Sequence, residues 1–220
     1  MRSRGAQPAI FGARGDSGTR RVLLIPDSTK WVDDSTNDVG IQGAFYGFTH
    51  SVGPDGQPST ITITPNAEGV CVDAHVHRVE DVNGDQTIDS ADYTAYWGVA
   101  FVLQLNNPGG ASAGENVYNA TAHGVKGFSY VLGGSGLPPE LRVIYTTPAE
   151  YCKAYNTPGT GAYTVLLSEA RQQCYAASPP QGAPDPTSLY RIQFSIPAQP
   201  SWATKFLDFN ICLRNLKAEL

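Results

Sequence analysis

Charged residues are scarce in this chain: they make up 16% of its 220 residues, against roughly a quarter in an average globular protein. Long solvated helices are not expected from so little charge. Basic residues are the scarcer kind, with 15 Lys and Arg against 20 Asp and Glu and a formal net charge of -5, so there is no positive footprint for a phosphate backbone. No nucleic acid is expected as a partner. No apolar run approaches the roughly 18 residues that a membrane-crossing helix needs, so no membrane span is expected. Cysteines at C-x2-C spacing are missing, which removes zinc ribbons; the G-x-S-x-G elbow, the H-E-x-x-H helix and the phosphate loop are missing too. The chain is therefore not expected to be an enzyme. No repeat of fixed period appears, which argues against solenoids and propellers.

Turn formers are abundant instead. The 23 Gly and 16 Pro punctuate short β-prone segments from Val22 onward, a spacing that predicts a sandwich or barrel. Strands are expected over 21–25, 43–49, 59–64, 70–79, 96–105, 124–132, 141–147, 162–167, 189–196 and 205–213, roughly ten in all. Segment 96–105 is apolar on both faces and reads as a central strand, with Trp97, Phe101 and, further on, Phe128 expected in the core. Only 167–175 has the spacing of a short helix, and no βαβ alternation supports a parallel sheet. The expected fold is all-β, a two-sheet antiparallel β-sandwich of the jelly-roll type formed by residues 22–220. Residues 1–21, rich in Arg and Gly, are expected to form a disordered tail. Arg14-Gly15-Asp16 within it reads as a chance string rather than an integrin signal.

One stretch carries specific chemistry. Asp81-Val82-Asn83-Gly84-Asp85-Gln86-Thr87-Ile88-Asp89-Ser90-Ala91-Asp92 sets oxygen side chains at positions 1, 3, 5, 9 and 12 of a twelve-residue loop, with the Thr87 carbonyl at position 7. Alternate side chains on such a turn converge, so six or seven oxygens can replace the water shell of Ca²⁺. The candidate ligands are therefore Asp81, Asn83, Asp85, Thr87, Asp89 and Asp92. The twelve residues resemble the calcium loop of dockerins and EF-hands, with two departures: Gln86 stands where glycine normally supplies the sharp turn, and Asp92 has a shorter arm than the usual Glu. The flanks read as strand, so the loop is expected as a hairpin insertion clipping one edge of the sandwich, with a structural ion. A solvated acidic turn without metal is the alternative.

The segments Gly40-Ile41-Gln42-Gly43-Ala44-Phe45-Tyr46, Tyr96-Trp97-Gly98-Val99-Ala100, 118–129 and Phe206-Leu207-Asp208-Phe209-Asn210-Ile211, in that order, resemble the jelly-roll domains of bacterial secreted proteins and lipoproteins. They are similar to carbohydrate-binding modules attached to glycanases. The resemblance implies a galactose-binding-like sandwich, a structural calcium, export and glycan binding. The family's usual ion would lie near the N-terminal segment and the last strand, where Asp33, Asp34 and Asp208 are candidates for a second site or, alternatively, surface loops.

Sugar binding needs flat rings beside polar groups. Tyr151, Tyr155, Tyr175 and Trp202 are the surface candidates for a polysaccharide or cell-surface glycan, with filling of loop bases as the alternative. His75 and His77, two apart on a predicted strand, share a face, but no third zinc ligand stands at an obvious spacing. Glu150 and Asp208 are isolated carboxylates on predicted strands, poor material for glycoside hydrolysis. Asn119-Ala120-Thr121 is a glycosylation sequon, relevant only in a eukaryotic secretory host. The four cysteines favour disulfides and an oxidising compartment, with Cys152–Cys174 closing a short loop and Cys71–Cys212 joining an early strand to the last; four buried thiols are the alternative. Secretion or display at the cell surface is expected on that ground, the signal peptide being absent from this chain. A calcium-stabilised, non-catalytic binding domain is the leading expectation. A purely structural or adhesive surface domain and a polysaccharide-active enzyme are the alternatives.

Overall fold

Segments that alternate apolar and polar residues become strands here, because alternation gives each strand one face to bury. A computed structural model of the chain describes residues 20–49, 56–109, 114–176, 178–180 and 182–220. Six strands form one sheet, in the order β1 (Trp31–Val32), β2 (Gly43–Thr49), β5 (Gly98–Gln104), β10 (Arg191–Pro197), β7 (Glu140–Thr146) and β8 (Glu150–Asn156). Five form the other, in the order β3 (Thr60–Asn66), β4 (Gly69–His77), β11 (Phe206–Glu219), β6 (Gly127–Gly136) and β9 (Gly161–Leu166). Neighbouring strands pair antiparallel throughout both sheets. The fold is the expected two-sheet antiparallel β-sandwich.

The inner faces meet over one core. Phe101 on β5 stacks on Phe194 of β10 at 5.1 Å between centroids, and Phe194 meets Tyr130 of β6 edge-on at 5.2 Å, so aromatic contacts tie the sheets together. Phe101, Phe128 and Phe194 are fully buried, as predicted for the first two. The segment 21–25 falls short of a strand: it makes an isolated bridge from Leu23 to Lys217 and stops before Pro26, which has no N–H to extend pairing. The expected helix over 167–175 reduces to a single 3-10 turn, Leu167–Glu169, after which Arg171 bridges back to Cys152. Residues 1–19, with Arg14-Gly15-Asp16, lie outside the described residues. Arg21 is held, its guanidinium donating to the Asp38 carboxylate at 2.7 and 3.0 Å.

Both expected disulfides are present, Cys71–Cys212 across adjacent strands β4 and β11, and Cys152–Cys174 between β8 and the segment after the 3-10 turn. Their sequence separations are 141 and 22 residues, so removing the first is expected to cost about 5 kcal/mol and the second about 3 kcal/mol by loop-closure entropy. Urea unfolding of Cys71→Ala/Cys212→Ala beside Cys152→Ala/Cys174→Ala checks the order. A larger loss in the second pair would contradict it.

Candidate functional site

Because successive strand residues face opposite ways, the six-stranded sheet has an outer face as well defined as its core face. On β10 Ile192, Phe194 and Ile196 enter the core, leaving Arg191, Gln193 and Ser195 outward. Register sets Tyr46, Val102, Gln193, Ile144 and Cys152 in one row across the sheet, and Phe48, Ala100, Ser195, Arg142 and Ala154 in the next. The small side chains in mid-row make a floor between taller walls. The result is a cleft of about 570 Å³.

One wall is aromatic: Phe48 lies 5.4 Å from Trp97, with ring planes 49° apart. The other is the segment carrying Gln172, Gln173 and Tyr175, where the Arg142 guanidinium sits 4.7 Å from the Tyr175 ring centroid. Arg142 is fixed from its own strand by Glu140 at 2.6 Å. At the cleft end, Arg191 donates to the Tyr46 hydroxyl at 3.1 Å, and that hydroxyl donates to Glu115 at 3.1 Å. Burial, followed by the Glu115 charge, raises the Tyr46 pKa, so it stays a neutral donor at any physiological pH. In the floor, Gln193 is only 6% exposed and its Oε1 has no hydrogen-bond partner among the described residues. A buried amide oxygen without a partner costs stability, and an entering hydroxyl reached by a small turn of the amide would satisfy it.

Of the four aromatic candidates named from sequence, the structure brings Tyr175 alone to this cleft, and it is 62% exposed. Tyr151 and Tyr155 were expected in a loop; they lie on strand β8, where alternation turns them to the inner side. Tyr155 packs edge-on against Tyr163 at 5.0 Å, and burial, then the Glu169 charge, pushes its hydroxyl up to about 12. Trp202 is 8% exposed and packs edge-on against Phe209, so it fills the sandwich margin. Trp97, expected in the core, instead lines the cleft. It shares the parity of the inward Val99 and Phe101, but Gly98 takes φ +115° and breaks the alternation; a Cβ there would stand 2.1 Å from the Ile196 carbonyl oxygen. Sequence reasoning also passed over Tyr46 and Phe48, for which their aromatic, alternating segment was the available signal.

The acidic loop closes on its own amides. Asp81 accepts N–H bonds from Asn83, Gly84 and Gln86, and Asp85 accepts from the Thr87 amide and hydroxyl, which holds its carboxyl below the usual range. Gln86 adopts φ +68°, the left-handed turn that glycine normally supplies there. The expected strand-like flank is corrected: Ser90–Ala95 forms helix α1, capped by Asp89, with fully buried Asp92 accepting from the Val82 and Asp89 amides at 2.7 and 2.8 Å. The spacing Asp89-x-x-Asp92 is the capping signal that sequence reasoning missed. The donors are hard oxygens on the right kind of turn, and ligating carboxylates commonly accept such bonds as well. Among the described residues, however, no three His, Cys, Asp or Glu side chains converge on a common point.

The remaining candidates are dispersed. Asp33 caps a 3-10 turn beside β1, whereas Asp208 pairs with His75 at 2.6 Å on the outer face of the other sheet, so Asp33, Asp34 and Asp208 do not assemble. Glu150 lines the cleft and Asp208 faces away on the opposite sheet, which leaves them unable to act as a hydrolytic pair. His75 and His77 do share a face, but Phe206 stacks on the first at 4.3 Å and meets the second edge-on at 4.6 Å. Asn119 caps helix α2 (Ala120–His123).

No helix among the described residues is long and apolar enough to cross a membrane. No protein-family model matches the chain, and no curated protein matches it in sequence. Among solved structures it is similar to a family 11 carbohydrate-binding module from Clostridium thermocellum, in complex with a β-1,3-1,4-mixed-linked tetrasaccharide, at 9% identity and a TM-score of 0.47 over 91% of this chain and 96% of that one. The family 11 module of the cellulosomal cellulase Lic26A-Cel5E of the same organism gives 9% identity and a TM-score of 0.43 over 79% and 86%. An exo-β-agarase gives 7% identity and 0.41, with 91% of this chain covering 25% of that one.

Proposed function

We propose that this chain is a non-catalytic carbohydrate-binding domain of an exported protein, and that the cleft on the six-stranded sheet takes a polysaccharide. The observation that carries this reading is the pairing of the Phe48–Trp97 wall with the unpartnered Gln193 oxygen in the floor. Flat rings suit the apolar faces of pyranoses, and planar amide and guanidinium groups suit their hydroxyls. Among the described residues Glu150 is the one carboxylate in the cleft lining, and Glu115 at the cleft end is engaged by Tyr46 and Arg191, whereas glycoside hydrolysis ordinarily uses two free carboxyl groups, which favours binding over turnover. Native gels cast with mixed-linkage β-glucan, xylan, galactomannan or agarose test the reading. Retardation in at least one supports it; unretarded migration in all four, or release of reducing ends, overturns it.

A second element of the reading is the loop 81–92. It binds Ca²⁺ as a structural clip, held by Asp81, Asn83, Asp85, the Thr87 carbonyl, Asp89 and Asp92. The alternate oxygens and the left-handed turn at Gln86 support this. An ion that binds only the folded loop raises stability by mass action, about 2.7 kcal/mol at a hundredfold excess over its dissociation constant. The melting temperature is therefore expected to rise with added Ca²⁺, and Asp81→Ala/Asp85→Ala to abolish the rise. An equal response in the double variant would remove the loop as the site.

A further inference from the structure

The two walls of the cleft are held in different ways. Phe48 sits on β2, Trp97 directly precedes β5 with its carbonyl accepting from the Ala198 amide at 3.2 Å, and the two rings rest on each other. The opposite wall, residues 171–176, is half-buried or exposed throughout and contributes no core side chain. Among the described residues it is attached by the paired Cys152–Arg171 backbone bonds at 2.8 and 2.9 Å, carbonyl contacts of the Arg171 side chain, the Cys152–Cys174 disulfide and the Cys174 amide donating to Cys152 Sγ at 3.2 Å. Cys152 stands in the outward row of the cleft floor, and Cys174 immediately precedes Tyr175. The disulfide thus ties the ring-bearing residue to the floor itself. The Tyr175 ring meets the Arg142 guanidinium and the residue is 62% exposed, so among the described residues little packing fixes its direction.

We infer that the Cys152–Cys174 disulfide is a positioning element of the carbohydrate site, which orients Tyr175 over Arg142 as a stacking surface facing the Phe48–Trp97 wall. The inference rests on the carbohydrate reading above. A stacking ring contributes to affinity when its orientation is fixed before the ligand arrives, since ordering it on binding subtracts from the gain. Without the crosslink the segment keeps its β-bridge at Arg171, three residues before the cysteine, and the ring loses its direction.

The test is titration calorimetry with whichever of the four polysaccharides retards the protein in gels. Tyr175→Ala is expected to weaken binding about tenfold, about 1.4 kcal/mol. Cys152→Ala/Cys174→Ala is expected to weaken it to a similar extent, and adding Tyr175→Ala to that pair to change it less than about twofold, the non-additivity of groups acting as one unit. Cys71→Ala/Cys212→Ala removes the wider crosslink, 141 residues against 22, and is expected to leave affinity unchanged, separating position from stability. Should the cleft pair fail to fold, Cys152→Val/Cys174→Ala keeps apolar volume in the floor. The inference is overturned if either cleft variant binds as the wild type does, if Tyr175→Ala weakens binding equally with and without the crosslink, or if neither variant folds, which would make the bond a folding element. A wild type that none of the four polysaccharides retains overturns the carbohydrate reading instead.

Discussion

Replacing Phe194 by alanine is expected to lower the free energy of unfolding by about 3–5 kcal/mol, the usual cost of deleting a buried ring and leaving a cavity. The side chain is fully buried at the middle of the six-stranded sheet, between β5 and β7. It stacks on Phe101 within its own sheet and meets Tyr130 of the other edge-on, so its loss removes two aromatic contacts and one link between the layers. Against a total of about 5–15 kcal/mol for a typical domain, that is a large fraction. Urea unfolding measures it, with Phe194→Leu as the milder companion. A loss below about 1.5 kcal/mol would mean that the sheets close over the gap and that this ring is not central to the core.

Trp97→Ala and Phe48→Ala are each expected to weaken polysaccharide binding by at least tenfold, in line with the roughly 2 kcal/mol that a central aromatic anchor contributes to an interface. Neither ring is fully buried, and both face the cleft, so the loss should appear in affinity more than in melting temperature. Tyr93→Ala is the control, because Tyr93 is 44% exposed on helix α1, outside the cleft. Calorimetry with the polysaccharide retained in gels reads the difference. Wild-type affinity in both cleft variants would move the site elsewhere.

Much of the sandwich was legible in the sequence because each strand's alternation is local. Segments 43–49, 70–79 and 189–196 lie within a few residues of β2, β4 and β10. Strand β8 was not legible: Glu150–Asn156 mixes Tyr, Lys, Cys and Glu, and its pairing with β7 comes from tertiary register, not from an apolar rhythm of its own. That single omission turned Tyr151 and Tyr155 into surface candidates. Helix α1 is six residues long, too short for periodicity to reveal, and is marked instead by the Asp89–Asp92 cap.

The sequence by itself determined the all-β class and most strand positions, since these follow from residue type and from short-range alternation; the expected cysteine pairs were decided only by β4 lying beside β11 and the segment after the 3-10 turn beside β8. The tertiary structure alone decided which aromatic residues face solvent together. Trp97 reaches the cleft because one glycine with positive φ reverses its side, Phe48 joins it because register aligns β2 with β5, and Tyr175 arrives through a crosslink from β8. Each depends on where a second strand or a distant cysteine lies, information that no local window contains.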